Sequence, residues 1–231
     1  MRKHLGQGQW FRYGMAWLRG KAVAGILCLL MPFAAMAEDM RILALGDSLT
    51  QGYGLIEDFG FVPQLDAWLE AQGAEVAVIN GGVSGDTSAG GAARVEWSLT
   101  PDVDAMIVTL GGNDLLRGVD PSVTRANIEA ILRAAQEKSV KVLLVGMQAP
   151  GNYGPEYKQD FDSLYPELAE DYGTLYAESF FAGLGTSDPA EARDYFQADG
   201  IHPNAEGVRK IVEGLGPKAL ALIDRVDEPG T

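Results

Sequence analysis

Cysteine and histidine are nearly missing from this chain. Of 231 residues, one is a cysteine, Cys28, and two are histidines, His4 and His202. Cys28 and His4 both fall in an amino-terminal segment with the marks of a leader, so residues 38–231 hold no thiol and a single imidazole. Disulfides, a cysteine nucleophile and sulfur-bound metal are thereby excluded. So is a metal site built on several histidines. Basic residues are scarce too, with 18 Lys+Arg against 32 Asp+Glu. Five of the basic residues (Arg2, Lys3, Arg12, Arg19 and Lys21) lie in the first 37 residues, which contain no acidic residue. The remaining 194 residues thus carry 13 Lys+Arg against 32 Asp+Glu, a formal charge of −19. A surface of that sign repels nucleic acid and anionic membranes, and its ordinary consequence is solubility.

Long apolar runs are also absent. The longest, Ala22–Ala35, falls short of the roughly 20 residues that a membrane-spanning helix needs. It follows a basic start and ends at Ala35-Met36-Ala37, a small-x-small site ahead of Glu38. Residues 1–37 therefore read as a secretory signal peptide cleaved after Ala37, with Met15 as an alternative start. Leu27 before Cys28 does not fit a lipoprotein site. The expectation is a periplasmic or secreted protein without stable membrane insertion once the leader is removed. Residues 38–231 have the length of one domain with a sizeable core.

Within that domain, short apolar runs alternate with helical periods. Arg41–Gly46, Glu75–Asn80, Asp104–Leu110 and Lys141–Met147 read as strands, and Thr174–Tyr176 as a weaker fifth. Phe61, Leu65, Trp68 and Leu69 share one helical face, as do Ile128, Ile131, Leu132 and Ala135. The second of these helices starts with Asp120 as its cap and Pro121 as its first residue. Val208, Ile211, Val212 and Leu215 predict a last helix, which Gly214, Gly216 and Pro217 are expected to kink or split. Continuous apolar strands alternating with amphipathic helices predict an α/β protein with a parallel sheet covered on both faces.

In an open α/β sheet, ligands bind beyond the carboxyl ends of the strands. The unusual polar clusters all fall there: Gly46-Asp47-Ser48, Asn80 to Thr87, Gly111 to Asp114, Gln148 to Gly154 and Asp199 to Asn204. A serine hydroxyl needs a base to become nucleophilic, and His202 is the one imidazole available. The imidazole needs a carboxylate to fix its tautomer and stabilise its cation, and Asp199 is three residues upstream. An acyl-transfer transition state needs oxyanion donors, for which Gly85, Asn113 and the Ser48 N–H are candidates. Asp47 and Asp114 read as structural hydrogen-bonding residues, Gly81 and Gly82 as turn glycines, and Asp86-Thr87-Ser88 as a helix start. Taken alone, Ser48 reads more readily as a helix cap than as a nucleophile, and it is His202 and Asp199 on the same rim that reverse this.

Four blocks, Gly46-Asp47-Ser48-Leu49, the Gly85 loop, Gly112-Asn113-Asp114 and Asp199-Gly200-Ile201-His202-Pro203, resemble the motif blocks of the GDSL (SGNH) hydrolases, in the same order. Val83–Ser88 and Asn152-Tyr153-Gly154 resemble in particular the periplasmic acyl-CoA thioesterase I, lysophospholipase and arylesterase group. The resemblance implies a flavodoxin-like three-layer α/β/α fold with a five-stranded parallel sheet of order 2-1-3-4-5. It implies Ser48 as nucleophile, His202 as base, Asp199 as its orienting carboxylate, and Gly85 and Asn113 as oxyanion donors. Asn152, Tyr153 and Gly154 would line the acyl or aryl pocket. No metal and no cofactor is called for, a small ester or thioester is the implied substrate, and a monomer is expected. The residue two after Ser48 is Thr50, so the Gly-x-Ser-x-Gly elbow of α/β-hydrolases is absent. Two alternatives stay open: a carbohydrate acetylesterase on the same fold, and a flavodoxin-like phosphate- or nucleotide-binding module.

Overall fold

The computed structural model describes residues 40–186 and 189–227. The segment 1–37 read as a signal peptide lies outside the described residues. Five strands form one all-parallel sheet: β1 (Met40–Gly46), β2 (Val76–Gly82), β3 (Ala105–Thr109), β4 (Lys141–Val145) and β5 (Leu175–Ala177), in the order β2-β1-β3-β4-β5. The α-helices, in chain order, are α1 (Ser48–Gln51), α2 (Phe61–Ala71), α3 (Ser88–Ser98), α4 (Gly112–Arg117), α5 (Pro121–Glu137), α6 (Pro155–Asp171), α7 (Pro189–Ala192) and α8 (Ala205–Asp227). Helices α2 and α8 pack on each other over one face of the sheet, and α3, α5 and α6 form a row over the other. This is the three-layer flavodoxin-like arrangement that the motif resemblance implied.

The sequence accounts for each layer. The central strands β1, β3 and β4 are apolar along their length because both faces are covered. Ile42 to Leu45, Ala105 to Val108 and Val142 to Val145 are all buried. Each fully buried Leu or Ile among them contributes about 1.5–3 kcal/mol of transfer free energy. In α5 the buried residues Thr124, Ile128, Ile131, Leu132 and Ala135 follow the 3.6-residue period, and Asp120 caps the helix by accepting from Ser122 N–H at 2.9 Å.

Three differences from the expected elements have physical reasons. Helix α8 is not split: it runs from Ala205 to Asp227 with Pro217 inside. Its buried stripe of Val208, Ile211, Val212, Leu215, Ala219 and Leu222 crosses the proline, and that packing outweighs one lost hydrogen bond. The two glycines serve close approach instead of termination. A Cβ at Gly214 would stand 2.7 Å from Gly183 Cα, and one at Gly216 would stand 2.6 Å from the Trp68 ring. Gly81 and Gly82 are not turn residues but the last two residues of β2, pressed against Ala44 O and the Gln51 backbone. Helix α6 carries no expected counterpart, although Phe161, Leu164, Tyr165 and Leu168 repeat at helical spacing. The stripe itself is unbroken, but Pro166 and the acidic residues between its members mask it in the sequence.

Parallel pairing sets Gly46 opposite both Gly82 and Thr109. The three residues form one row across the sheet, and the loops that follow them start from a common level.

Candidate active site

Ser48 is the first residue of α1, two residues beyond the end of β1. The capping role at this helix belongs to its neighbour: Asp47 Oδ1 accepts from Leu49 N–H at 3.0 Å. The Ser48 hydroxyl is thus left to interact elsewhere. It lies 2.9 Å from His202 Nε2.

The histidine is held by its own turn. Asp199 Oδ1 accepts from the backbone N–H groups of Ile201 at 2.9 Å and His202 at 3.0 Å. Asp199 Oδ2 stands 2.7 Å from His202 Nδ1. An Nδ1–H donated to this carboxylate leaves Nε2 unprotonated, as acceptor for the serine proton. The three residues thus meet across 154 positions of sequence. The hydrogen bond to the ring, followed by those from Ile201 and His202 N–H, holds the Asp199 pKa down to about 2. The Tyr53 ring also packs against His202, with centroids 4.6 Å apart and planes tilted by 39°.

Asn113 is the second residue of α4, and its Nδ2 donates to Asp47 Oδ2 at 3.1 Å. That bond uses one N–H of the amide and fixes its plane, leaving the second N–H for another acceptor. Asp47 is buried, and burial raises its pKa, against the lowering effect of the Leu49 and Asn113 hydrogen bonds. Asp114, the next residue, points away into the protein. It accepts from Ser88 N–H at 2.8 Å, Ser88 Oγ–H at 2.5 Å and Thr124 Oγ1–H at 3.2 Å, locking α4 to α3 and α5.

Gly85 has φ +85°, a backbone region that favours glycine. Its loop is tied on every side. Val83 N–H donates to Gly46 O at 3.0 Å, and Ser84 N–H donates to Gln51 Oε1 at 3.0 Å. Arg117 Nη2 donates to Gly85 O at 2.9 Å. Asp86 pairs with Arg94 at 2.7 Å, and Arg94 also donates to Gly46 O at 2.8 Å. The serine helix supplies Gln51 and the asparagine helix supplies Arg117, so the loop's place is referred to both.

Residues 44–210 match the family model described as "GDSL-like Lipase/Acylhydrolase family". The chain belongs to this family. Among curated relatives of this acylhydrolase, the Pseudomonas aeruginosa protein named "Esterase TesA" is 34% identical over 89% of this chain and 100% of its own length. The "Arylesterase" of Vibrio mimicus is 33% identical over 78% of this chain and 88% of its own. The "Thioesterase 1/protease 1/lysophospholipase L1" of Escherichia coli K12 is 31% identical over 86% and 92%. Among solved structures, the SGNH-hydrolase family esterase AlinE4 is 40% identical with a TM-score of 0.66, over 80% of this chain and 97% of that one.

In this family member Ser48, Gly85, Asn113, Asp199 and His202 all border one cavity of about 1860 Å³. That is larger than the roughly 300–1,000 Å³ of an ordinary small-molecule pocket. Leu115, Met147, Pro150, Phe181 and Leu184 supply apolar wall. Asn152 and Tyr153 border the same space on a single 3₁₀ turn, Gly151–Tyr153. Gly154 does not: it precedes α6 at φ +94° and turns the chain into that helix. Among the described residues, no group of three or more His, Cys, Asp or Glu side chains is placed to hold a metal ion. No described helix is long and apolar enough to cross a membrane.

Sequence reading missed Gln51, Tyr53, Arg117 and Gln197, which contact the motif segments. The contact between Asp47 and Asn113 was missed as well. Local sequence carries no signal for such contacts, because each partner lies in a different block.

Proposed function

We propose that this GDSL-family protein is a secreted carboxylic ester hydrolase that works through an acyl-enzyme on Ser48. It acts on esters or thioesters of small to medium acyl groups, with aryl esters and lysophospholipids in the same class. One observation carries the reading: the Ser48 hydroxyl, the His202 ring and the Asp199 carboxylate form a continuous hydrogen-bonded series, at 2.9 and 2.7 Å, on the wall of an open cavity. Relatives named as an esterase, an arylesterase and a thioesterase support the reaction class.

In the acylation step Ser48 Oγ attacks the carbonyl carbon and gives its proton to His202 Nε2. The resulting oxyanion is met by the free N–H of Asn113 Nδ2, the Gly85 N–H and the Ser48 N–H at the start of α1. The carbon–oxygen or carbon–sulfur bond then breaks, and the leaving alcohol or thiol takes the proton from Nε2. Water attacks the acyl-enzyme, passes a proton to Nε2, and Ser48 leaves with that proton as the acid is released. Asp199 keeps its charge throughout and orients the ring.

Residues 1–37 act as a signal peptide, so the mature chain starts at Glu38 and resides in the periplasm or outside the cell. Amino-terminal sequencing of the exported protein tests this, and a start at any residue before Glu38 overturns it.

A fluorophosphonate probe is expected to label Ser48, and Ser48→Ala to abolish labelling and turnover. Labelling at another serine, or turnover retained in the variant, refutes the assignment. A panel of p-nitrophenyl esters, acyl thioesters and acetylated sugars separates acyl esterase from carbohydrate acetylesterase. Nucleotide binding without any ester turnover would favour a binding module instead.

A further inference from the structure

Gln197 lies two residues before Asp199 and borders the catalytic cavity. Its side-chain Nε2 donates to two carbonyl oxygens, Tyr53 O at 2.8 Å and Pro203 O at 3.0 Å. Tyr53 closes the turn after α1, where its N–H donates to Ser48 O at 3.1 Å. Pro203 directly follows His202. A single carboxamide therefore spans the segment that bears the serine and the segment that bears the histidine.

The backbone of Gln197 adds to the grip. Its N–H donates to His202 O at 2.8 Å, and its carbonyl accepts from Gly200 N–H at 3.0 Å, closing the turn that holds Asp199. The amide is also confined from outside. Its Oε1 packs against Gly54, whose φ of +74° and lack of a side chain allow the approach. Among the described residues, the bond from Gln197 to Tyr53 O is the only hydrogen bond joining residues 48–54 to 197–203 apart from that between Ser48 and His202.

We infer that Gln197 is a positioning residue, which keeps the His202 ring within reach of the Ser48 hydroxyl by tying the two segments together. The inference rests on the serine hydrolase reading above. Replacing the donor amide removes the tether and lets the histidine turn drift, while the groove that binds substrate keeps its walls.

The test uses the mature protein and two variants, Gln197→Glu and Gln197→Met. Both keep the length of the side chain, and neither can donate to the two carbonyls at pH 8. Leu222→Ala, in the core on α8, serves as a destabilised control. Turnover of a soluble p-nitrophenyl ester and the rate of fluorophosphonate labelling are measured per folded molecule, with folding followed by circular dichroism. In both variants kcat and the labelling rate should fall together by about 10- to 100-fold, the scale of an ångström-sized misplacement. KM should stay within about twofold, because substrate binding is not what is lost. Leu222→Ala should melt earlier yet keep its kcat below its melting temperature. If either folded variant retains wild-type kcat, or loses activity only in step with its melting temperature as the control does, the positioning role is wrong. Failure of the wild type itself to label at Ser48 would instead sink the hydrolase reading, so the two failures are distinguishable.

Discussion

Asp47 Oδ2 accepts a hydrogen bond from Asn113 Nδ2 at 3.1 Å, while Asp47 Oδ1 caps the helix that begins at Ser48. One buried carboxylate thus orients both the serine helix and the asparagine amide, fixing their spacing. Asn113→Ala removes the amide and should lower kcat by about 10²–10³-fold, the usual result of losing one oxyanion donor. Asp47→Asn keeps the donor but releases its aim, so its loss of kcat should be smaller. Steady-state kinetics on one ester, with melting temperatures for both variants, checks the order. Equal kcat in Asn113→Ala and the wild type would refute the proposed role of Asn113 as an oxyanion donor.

The two site carboxylates should titrate apart. Burial pushes Asp47 above the usual value of 3.8, whereas the ring hydrogen bond and two backbone N–H groups hold Asp199 at about 2. In a carboxyl-¹³C NMR titration, Asp47 should therefore take up its proton first as pH falls, and Asp199 last. The stability consequences have opposite signs. The Asp199 contribution is fully present above pH 3.8 and is lost as pH falls towards 2. The Asp47 contribution is present below pH 3.8 and is lost as pH rises and the buried carboxyl ionises. The melting temperature of Asp47→Asn relative to wild type should accordingly be more favourable at neutral pH than at pH 4. A reversed order of the two aspartates in the titration would contradict this account.

Asp114 stands next to a site residue but serves the framework. Asp114→Ala would leave the Ser88 N–H, the Ser88 hydroxyl and the Thr124 hydroxyl without their buried acceptor. The expected cost is about 3 kcal/mol, since unmet buried donors cost about 1–3 kcal/mol each and partial relaxation recovers some of it. Urea denaturation measures it. A loss under about 1 kcal/mol would mean that water or a rotamer change satisfies those donors.

Much of this arrangement is legible in the sequence because it is set locally. The strands announce themselves as apolar runs, and their observed ends lie within two residues of the expected ones. Asp120-Pro121 marks a helix start by capping chemistry alone. The motif residues lie on one rim because parallel strands must return their carboxyl ends to the same side. What could not be read depends on distant partners. Pro217 breaks helices in isolation, but here the apolar stripe on α8 is anchored over the sheet on both sides of it. Gly214 and Gly216 look like terminators until Gly183 and Trp68 occupy the space beside them. Nothing near Gln197 in the chain hints that its amide will meet Tyr53.

The row formed by Gly82, Gly46 and Thr109 gives the molecule two unlike ends. Slipping β1 by one residue against its neighbours would carry Ser48 about 3.3 Å along the strand axis and turn its buried side chains to the opposite layer. Chemistry here is therefore as exact as strand alignment. At the opposite edge, where Val76, Ala105 and Lys141 begin their strands, the connecting turns could be lengthened, tagged or spliced to another domain without disturbing the end that carries Ser48.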